Sequence, residues 1–89
     1  MTSQLTASFM ACYAQLPRAV REQARRSYRL WRDNPSHPGV QFKQVHASEP
    51  LYSARVGIGW RALALRDGDA TSWFWIGSHA EYDRLIDRF

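Results

Sequence analysis

The first third of the chain repeats apolar and polar residues with the period of an α-helix. Apolar side chains at helical spacing predict a first helix over residues 7–15: Phe9, Cys12, Tyr13 and Leu16. Pro17 is tolerated at a first helical position, so we expect a second helix to open there and to run to Asp33. The turn sequence NPSHPG then ends it, because prolines and glycine break helices. So short a connection between the helices predicts an antiparallel hairpin.

After this turn the pattern changes to the two-residue alternation of strands. Four segments fit: VQFKQVH (40–46), LYSARVG (51–57), WRALALRD (60–67) and ATSWFWI (70–76). GIG (57–59) and DGD (67–69) predict hairpin turns, so the last three strands should form an antiparallel meander. In the last strand both faces are apolar, with Trp73 and Trp75 on one face and Phe74 and Ile76 on the other. That pattern predicts a central strand that is covered on both sides.

The end of the chain predicts one more helix. Residues 78–81 read S-x-x-E, a capping box, and an apolar helical face follows it: Tyr82, Leu85, Ile86 and Phe89. Residues 1–5 are weakly patterned and predict a frayed end or a short edge strand. The predicted fold is therefore α+β, with an N-terminal helical hairpin, a four-stranded mainly antiparallel sheet and a C-terminal helix, in a single domain over residues 1–89.

Composition indicates the cellular location of the protein and the kinds of ligand to expect. Its 89 residues are 45% apolar and include a single cysteine, Cys12, so no internal disulfide forms and a cytoplasmic location is expected. No signal peptide or membrane-spanning segment is recognisable. The spacing of Cys12, His37, His46 and His79 matches no zinc site. We therefore predict no metal, no cofactor and no membrane partner.

The charge balance points to an anionic partner. The net charge is +4, and eleven of the twelve basic residues are arginine, whose planar fork suits phosphate and carboxylate. A GC-rich genome is the alternative explanation for the arginine content. On the second helix five of them fall within a stripe about 80° wide, called here the arginine stripe: Arg18, Arg21, Arg25, Arg29 and Arg32. We predict that this stripe binds RNA, and a solvated surface is the alternative.

Four other residues should meet if the strands pair as predicted. Arg61 opens the third strand, Arg55 lies across the GIG turn, and His79 and Tyr82 begin the last helix. The N-terminus of a helix binds phosphate through its free N–H groups. Two guanidinium groups that faced this helix end would complete a pocket for a backbone phosphate.

These residue types suit the cleavage of RNA without a metal. A base must take the 2′-hydroxyl proton, an acid must protonate the departing 5′-oxygen, and cations must stabilise the phosphorane. Histidine titrates in the working range, arginine holds charge, and tyrosine positions or donates. We therefore predict a catalytic set and one further RNA contact: His79, Tyr82, Arg61 and Arg55, with Lys43 on the first strand.

Each of these residues also has a purely structural interpretation. Tyr82 belongs to the apolar face of its helix, and a solvated or carbonyl-bonded side chain accounts equally for His79. Arg61 shares its side of the strand with Leu63 and Leu65, where a charge must be paired or line a cavity. Loop and strand-end roles are expected for the two remaining histidines, His37 and His46.

Four segments together resemble a known family: LP before a helix, NPSHPGVQFKQVH, LYSARVGIGWRALAL and WFWIGSHAEYDRLI. They are similar to the RelE/ParE superfamily of bacterial type II toxin–antitoxin toxins, and in particular to a ParE-like group with the signature W-I-G-S-H-x-x-Y-D. The resemblance implies a compact sheet flanked by a helical hairpin and a C-terminal helix. The N-terminal strand usual in that family is not evident in MTSQLTASF.

The resemblance also implies functions. RelE-type members are mRNA endonucleases that commonly act on the ribosome. The resemblance assigns Arg61 to the arginine after the hairpin, Arg55 to a basic residue before it, and His79 and Tyr82 to the C-terminal catalytic region. The leading hypothesis is therefore a toxin that cleaves mRNA and inhibits translation, with the ribosome as a further partner.

Two alternatives stay open at this point. One is a ParE-like inhibitor that binds DNA gyrase and performs no chemistry, and the other is a module that only binds its antitoxin. All three imply a cognate antitoxin that is acidic or amphipathic and is often encoded in the adjacent reading frame. Operator DNA would be bound only through the antitoxin complex.

Overall fold

The strand-rich second half of the sequence builds most of the sheet. The computed structural model describes residues 2–89. Its strands are β1 (Thr2–Leu5), β2 (Lys43–Gln44), β3 (Leu51–Val56), β4 (Trp60–Asp67) and β5 (Ala70–Ser78), and its helices are α1 (Ala7–Ala14), α2 (Arg18–Asp33) and α3 (His79–Ile86). The strands lie in the order β1-β5-β4-β3-β2. The predicted α+β class is confirmed, and no helix within residues 2–89 is long and apolar enough to cross a membrane.

Strand β1 corrects the prediction of a four-stranded sheet. It adds a fifth strand that pairs in parallel with β5. Two of its polar side chains form hydrogen bonds: Gln4 Nε2 donates to Ser72 Oγ at 2.9 Å, and Ser3 Oγ lies 2.5 Å from Tyr28 Oη. Hydrogen bonds rather than apolar burial place this strand, which is why its sequence has so little strand pattern.

The strand predicted over residues 40–46 is reduced to the two residues of β2. Gln41 has a φ of 50°, a left-handed conformation that interrupts an extended chain. The side chain of Val40 is buried, and its carbonyl accepts the Arg55 N–H at 2.6 Å. Residues 40–42 thus form an irregular loop, which buries the side chain of Val40 in the core before the chain joins the sheet.

Strands β3, β4 and β5 form the predicted antiparallel meander, but a bulge changes the faces of β5. Consecutive residues of β4 lie opposite Trp75 and Trp73, so Phe74 is an extra residue. Trp73 and Ile76 consequently share the main core, and Trp75 lies on the other face. The predicted placement of Trp73 and Trp75 on one face is therefore wrong.

The main core lies between α1, α2 and one face of the sheet. Trp31 is 1% exposed at its centre, with its ring edge-on to Trp73 at 5.1 Å and to Phe42 at 5.4 Å. The sheet supplies small residues beneath the helices: Ala54 and Val56 from β3, and Ala62 and Ala64 from β4. The residues that lie between these in β3 and β4 therefore point to the opposite face of the sheet, where α3 contacts β4 and β5.

Position 77 of β5 requires a glycine, because the ring of Trp75 lies directly beside it. A Cβ at residue 77 would lie 2.5 Å from Cζ2 of Trp75, which is closer than packed atoms tolerate. We expect Gly77→Ala to displace this ring and to lower the free energy of unfolding by about 1–3 kcal/mol, as measured by urea denaturation. Gly59→Ala is the matched control, because a Cβ there meets nothing within 4 Å. Equal losses in the two variants would contradict the requirement.

Candidate functional site

Two arginines lie directly opposite each other on the sheet face that α1 and α2 do not cover. Arg55 of β3 and Arg61 of β4 are register partners, so their side chains leave the sheet on the same side. Both are half-buried, and among residues 2–89 no carboxylate lies within 4.0 Å of either guanidinium. Like charges in this arrangement repel each other. An anion bound between them would relieve that repulsion.

The guanidinium of Arg61 packs against Tyr82 of α3. Its Cζ lies 5.8 Å from the centroid of the tyrosine ring, a cation–π contact. Its Nε and Nη1 atoms are buried, and neither has a hydrogen-bond partner in the described part of the chain. An unpaired buried donor costs roughly 1–3 kcal/mol. An oxyanion received between α3 and the sheet would remove this cost, since arginine pairs well with phosphate and carboxylate.

The first turn of α3 brings His79 to the same place. The His79 N–H donates to the carbonyl of Gly59, in the turn between β3 and β4, at 2.8 Å. This bond fixes the start of the helix over the end of the sheet where Arg61 lies. The rings of His79 and Tyr82 meet edge to face, with centroids 5.8 Å apart. Tyr82 thus contacts both neighbours, and the three side chains form what we call the Arg61–Tyr82–His79 row.

The predicted cleft between the arginines and the histidine is partly filled. The ring of Tyr82 occupies the space between Arg61 and His79. The imidazole of His79 is 46% exposed, and its Nδ1 lies 3.1 Å from Oδ2 of Asp83. The structure therefore brings the four predicted catalytic residues to one end of one sheet face, and their chemical roles stay predictions.

Several backbone N–H groups at the start of α3, which was predicted to bind phosphate, already have partners within the chain. The Ser78 Oγ accepts the Glu81 N–H at 3.2 Å, and the Glu81 carboxylate accepts the Ser78 N–H at 3.1 Å. With the His79 N–H bonded to Gly59, the backbone donors of residues 78, 79 and 81 are all engaged. The predicted capping box is confirmed. Phosphate binding at this helix end stays a prediction.

The capping box makes stability depend on pH. The pKa of Glu81 lies below its ordinary value of 4.5, mainly because the Ser78 backbone N–H, and then its hydroxyl, donates to the carboxylate. The stabilisation is therefore complete above the unfolded-state pKa and is lost as the pH falls through the lower folded-state pKa. We expect Glu81→Gln to lower the free energy of unfolding by about 0.5 kcal/mol near pH 7 and by less near pH 3, as measured by urea denaturation.

Glu49→Gln is the matched control for this pH dependence. Glu49 is an exposed carboxylate in the loop before β3 and has no part in a helix cap. We expect this substitution to leave the free energy of unfolding unchanged at either pH. If Glu81→Gln had the same effect in acid as at neutral pH, ionisation of the cap would not contribute to stability.

Residues 18–84, most of the chain, match the sequence model of the ParE-like toxin domain. The chain belongs to the ParE-like toxin domain family. The resemblance to the RelE/ParE superfamily is thereby confirmed. No curated protein sequence matches the chain significantly.

Solved structures share the fold of this ParE-like domain at low sequence identity. A chain of the RelB–RelE antitoxin–toxin complex from Methanococcus jannaschii is 15% identical, with a TM-score of 0.71 over 96% of both chains. YafQ from E. coli strain BL21(DE3) is 12% identical, with a TM-score of 0.71 over 90% of this chain and 94% of its own. The YoeB/ParE toxin from Agrobacterium tumefaciens is 14% identical, with a TM-score of 0.67 over 89% of this chain and 99% of its own. At these identities the likeness shows the fold alone.

The arginine stripe of the ParE-like domain lies on the far side of the sheet from the Arg61–Tyr82–His79 row. Helix α2 buries Val20, Ala24 and Trp31 in the main core, so the stripe points outward on that side. Three members make polar contacts within the chain: Arg18 with Glu22 at 3.4 Å, Arg21 with the Leu16 carbonyl at 2.9 Å and Arg25 with Tyr13 Oη at 2.5 Å. RNA binding by the stripe therefore stays a prediction about a separate surface.

The remaining predicted RNA contacts are divided between the two sides. Arg29 is exposed on the stripe, and the Cζ of Arg32 lies 5.7 Å from the ring of Tyr28. Lys43 is exposed on β2 opposite Ser53, on the same face as Arg55. It is thus the one residue of the predicted RNA-binding set that shares a sheet face with the Arg61–Tyr82–His79 row.

One residue of the candidate site, Asp83, was missed in the sequence. Its four-residue spacing from His79 places both side chains on one side of α3, and that spacing was the available signal.

Within residues 2–89, no three His, Cys, Asp or Glu side chains come together in a way that could hold a metal ion.

Proposed function

We propose that this ParE-like domain is the toxin of a toxin–antitoxin pair and that it cleaves mRNA at a phosphate bound by Arg61 and Arg55. The observation that carries the proposal is the half-buried guanidinium of Arg61, with two unpartnered nitrogens, opposite a second arginine. Such a pair destabilises the fold unless an anion joins it. A backbone phosphate of RNA is an anion that both guanidinium groups can bind at once.

The proposed reaction uses the 2′-hydroxyl of the RNA as its nucleophile. A base removes the proton of this hydroxyl, and its oxygen then bonds to phosphorus. The bond from phosphorus to the 5′-oxygen breaks as that oxygen takes a proton from an acid. The products are a 2′,3′-cyclic phosphate and a free 5′-hydroxyl. Arg61 and Arg55 stabilise the phosphorane, and His79 and Tyr82 are the neighbouring side chains that can carry protons.

A different surface suits the antitoxin. An apolar groove of about 260 Å³ opens between α1, α2 and the sheet, and Arg25 of the arginine stripe also lines it. Two exposed apolar side chains, Leu5 and Met10, belong to its lining. An amphipathic segment fits this groove through its apolar side, and acidic side chains on that segment would meet the stripe. The proposed partner is therefore an acidic, amphipathic antitoxin.

Induction of the protein in bacterial cells tests the nuclease against its alternatives. We expect new mRNA 5′ ends that are lost in Arg61→Ala and in His79→Ala, while plasmid supercoiling stays unchanged. Arg66→Ala is the matched control, because this arginine of β4 contacts the rings of Phe42 and Tyr52, away from the candidate site. Altered supercoiling with intact transcripts would instead show a gyrase inhibitor. If neither changed, the domain would act only by binding its antitoxin.

A further inference from the structure

The three histidines of the chain differ in what their Nδ1 atoms face. The Nδ1 atoms of His37 and His46 each accept a backbone N–H at 3.0 Å. A nitrogen that accepts carries no proton, so both neutral rings hold their proton on Nε2. The Nδ1 of His79 instead lies 3.1 Å from a carboxylate oxygen of Asp83, which only accepts. In the neutral ring this contact is a hydrogen bond only when His79 carries its proton on Nδ1, the opposite tautomer.

We propose that Asp83 is a positioning residue, which holds the proton of His79 on Nδ1 and so leaves Nε2 as a proton acceptor. This inference rests on the proposed nuclease function, in which it makes His79 the base. Nε2 takes the proton of the 2′-hydroxyl, and the resulting imidazolium is stabilised by the carboxylate. Two further contacts support this arrangement: the backbone N–H of His79 donates to the Gly59 carbonyl and fixes the start of α3, and the ring of Tyr82 packs against the imidazole.

A helix-stabilising role is the competing explanation for the same pair. Asp83 and His79 are four residues apart on α3, with side chains 62% and 46% exposed, and such pairs stabilise helices slightly. That role alone predicts no effect of Asp83 on the tautomer. Asp87, the C-cap of α3, supplies the matched control, because it is an exposed carboxylate of the same helix that contacts no histidine.

Long-range ¹H–¹⁵N NMR of the imidazole rings reads the tautomers directly, with His37 and His46 as internal references. We expect wild-type His79 to carry its proton on Nδ1, to lose this preference in Asp83→Ala, and to regain it in Asp83→Glu, which restores a carboxylate. Asp87→Ala should leave it unchanged. A wild-type His79 with its proton on Nε2, or a tautomer that survives Asp83→Ala, would overturn the proposal.

Cleavage of mRNA in a translating extract gives an independent readout. We expect Asp83→Ala to lower kcat by about tenfold or more, because the base loses its orientation, and to leave KM within about twofold, because the phosphate contacts remain. Asp87→Ala should change neither. A loss in KM alone, or equal losses in both variants, would refute the positioning role. If the wild type cleaves no mRNA, the nuclease function and the base role both fall, and the NMR result still decides whether Asp83 sets the tautomer.

Discussion

Replacement of Arg61 by methionine is expected to slow mRNA cleavage severely and yet to stabilise the protein. In the free domain this arginine faces Arg55 and carries two buried nitrogens without partners. Methionine keeps an apolar body beside the ring of Tyr82 and removes both the charge and the unpaired donors. We expect the free energy of unfolding to rise by about 1 kcal/mol and the cleavage rate to fall by about 100- to 1,000-fold. A gain in stability with a loss of activity is typical of a group kept for function.

Urea denaturation and cleavage in a translating extract measure the two effects, and Arg66→Met is the control. Arg66 lies on the same strand, with its Cζ 5.7 Å from the ring of Tyr52 and 5.9 Å from that of Phe42. Its loss removes two cation–π contacts, so we expect unchanged cleavage and no gain in stability. If Arg61→Met cleaved normally or were less stable than the wild type, its guanidinium would be a structural group and not an anion receptor.

The elements that the sequence predicted correctly are those with local causes. Helix α2 has a buried side opposite its arginine stripe, and α3 begins at a capping box that the structure reproduces in both hydrogen bonds. The β3–β4 and β4–β5 turns contain Gly57 at a φ of 61° and Gly68 at a φ of 58°, the left-handed conformation that glycine tolerates. Periodicity, caps and turn residues each act over a few positions, and a sequence displays them directly.

The features that the sequence left open or predicted wrongly depend on distant partners. Residues 1–5 were expected to form a frayed end or a short edge strand, and β1 is the edge strand because its backbone and polar side chains bond to β5 and α2. The extra residue Phe74 shifts the phase of β5, and α1 helps to hold it there, since Ser8 Oγ donates to the Phe74 carbonyl at 2.9 Å. A strict alternation rule cannot show such a shift, so it placed Trp75 on the same face as Trp73.

The candidate site likewise has features that local sequence predicts and features that depend on distant residues. Arg55 and Arg61 were predictable neighbours because one short turn joins their strands, and His79 and Tyr82 because their helix directly follows β5. Two features could be recognised only from the positions of the side chains. One is the ring of Tyr82 between the arginine and the histidine. The other is the absence of a carboxylate beside either guanidinium among residues 2–89. The second of these features supports the functional proposal, together with the two unpartnered nitrogens of Arg61.

Met10→Asp is expected to weaken antitoxin binding by about 2 kcal/mol, roughly thirtyfold in Kd, because it places a charge on the lining of the apolar groove. The side chain is 44% exposed, so the fold should tolerate the change. The measurement is calorimetric titration with the purified product of the adjacent reading frame, and Ile58→Asp is the control. Ile58 is 87% exposed in the β3–β4 turn and is not part of the groove lining, so its change should leave Kd unaltered. If Ile58→Asp weakened binding and Met10→Asp did not, the antitoxin would lie over the Arg61–Tyr82–His79 end of the sheet and would inhibit by covering the site.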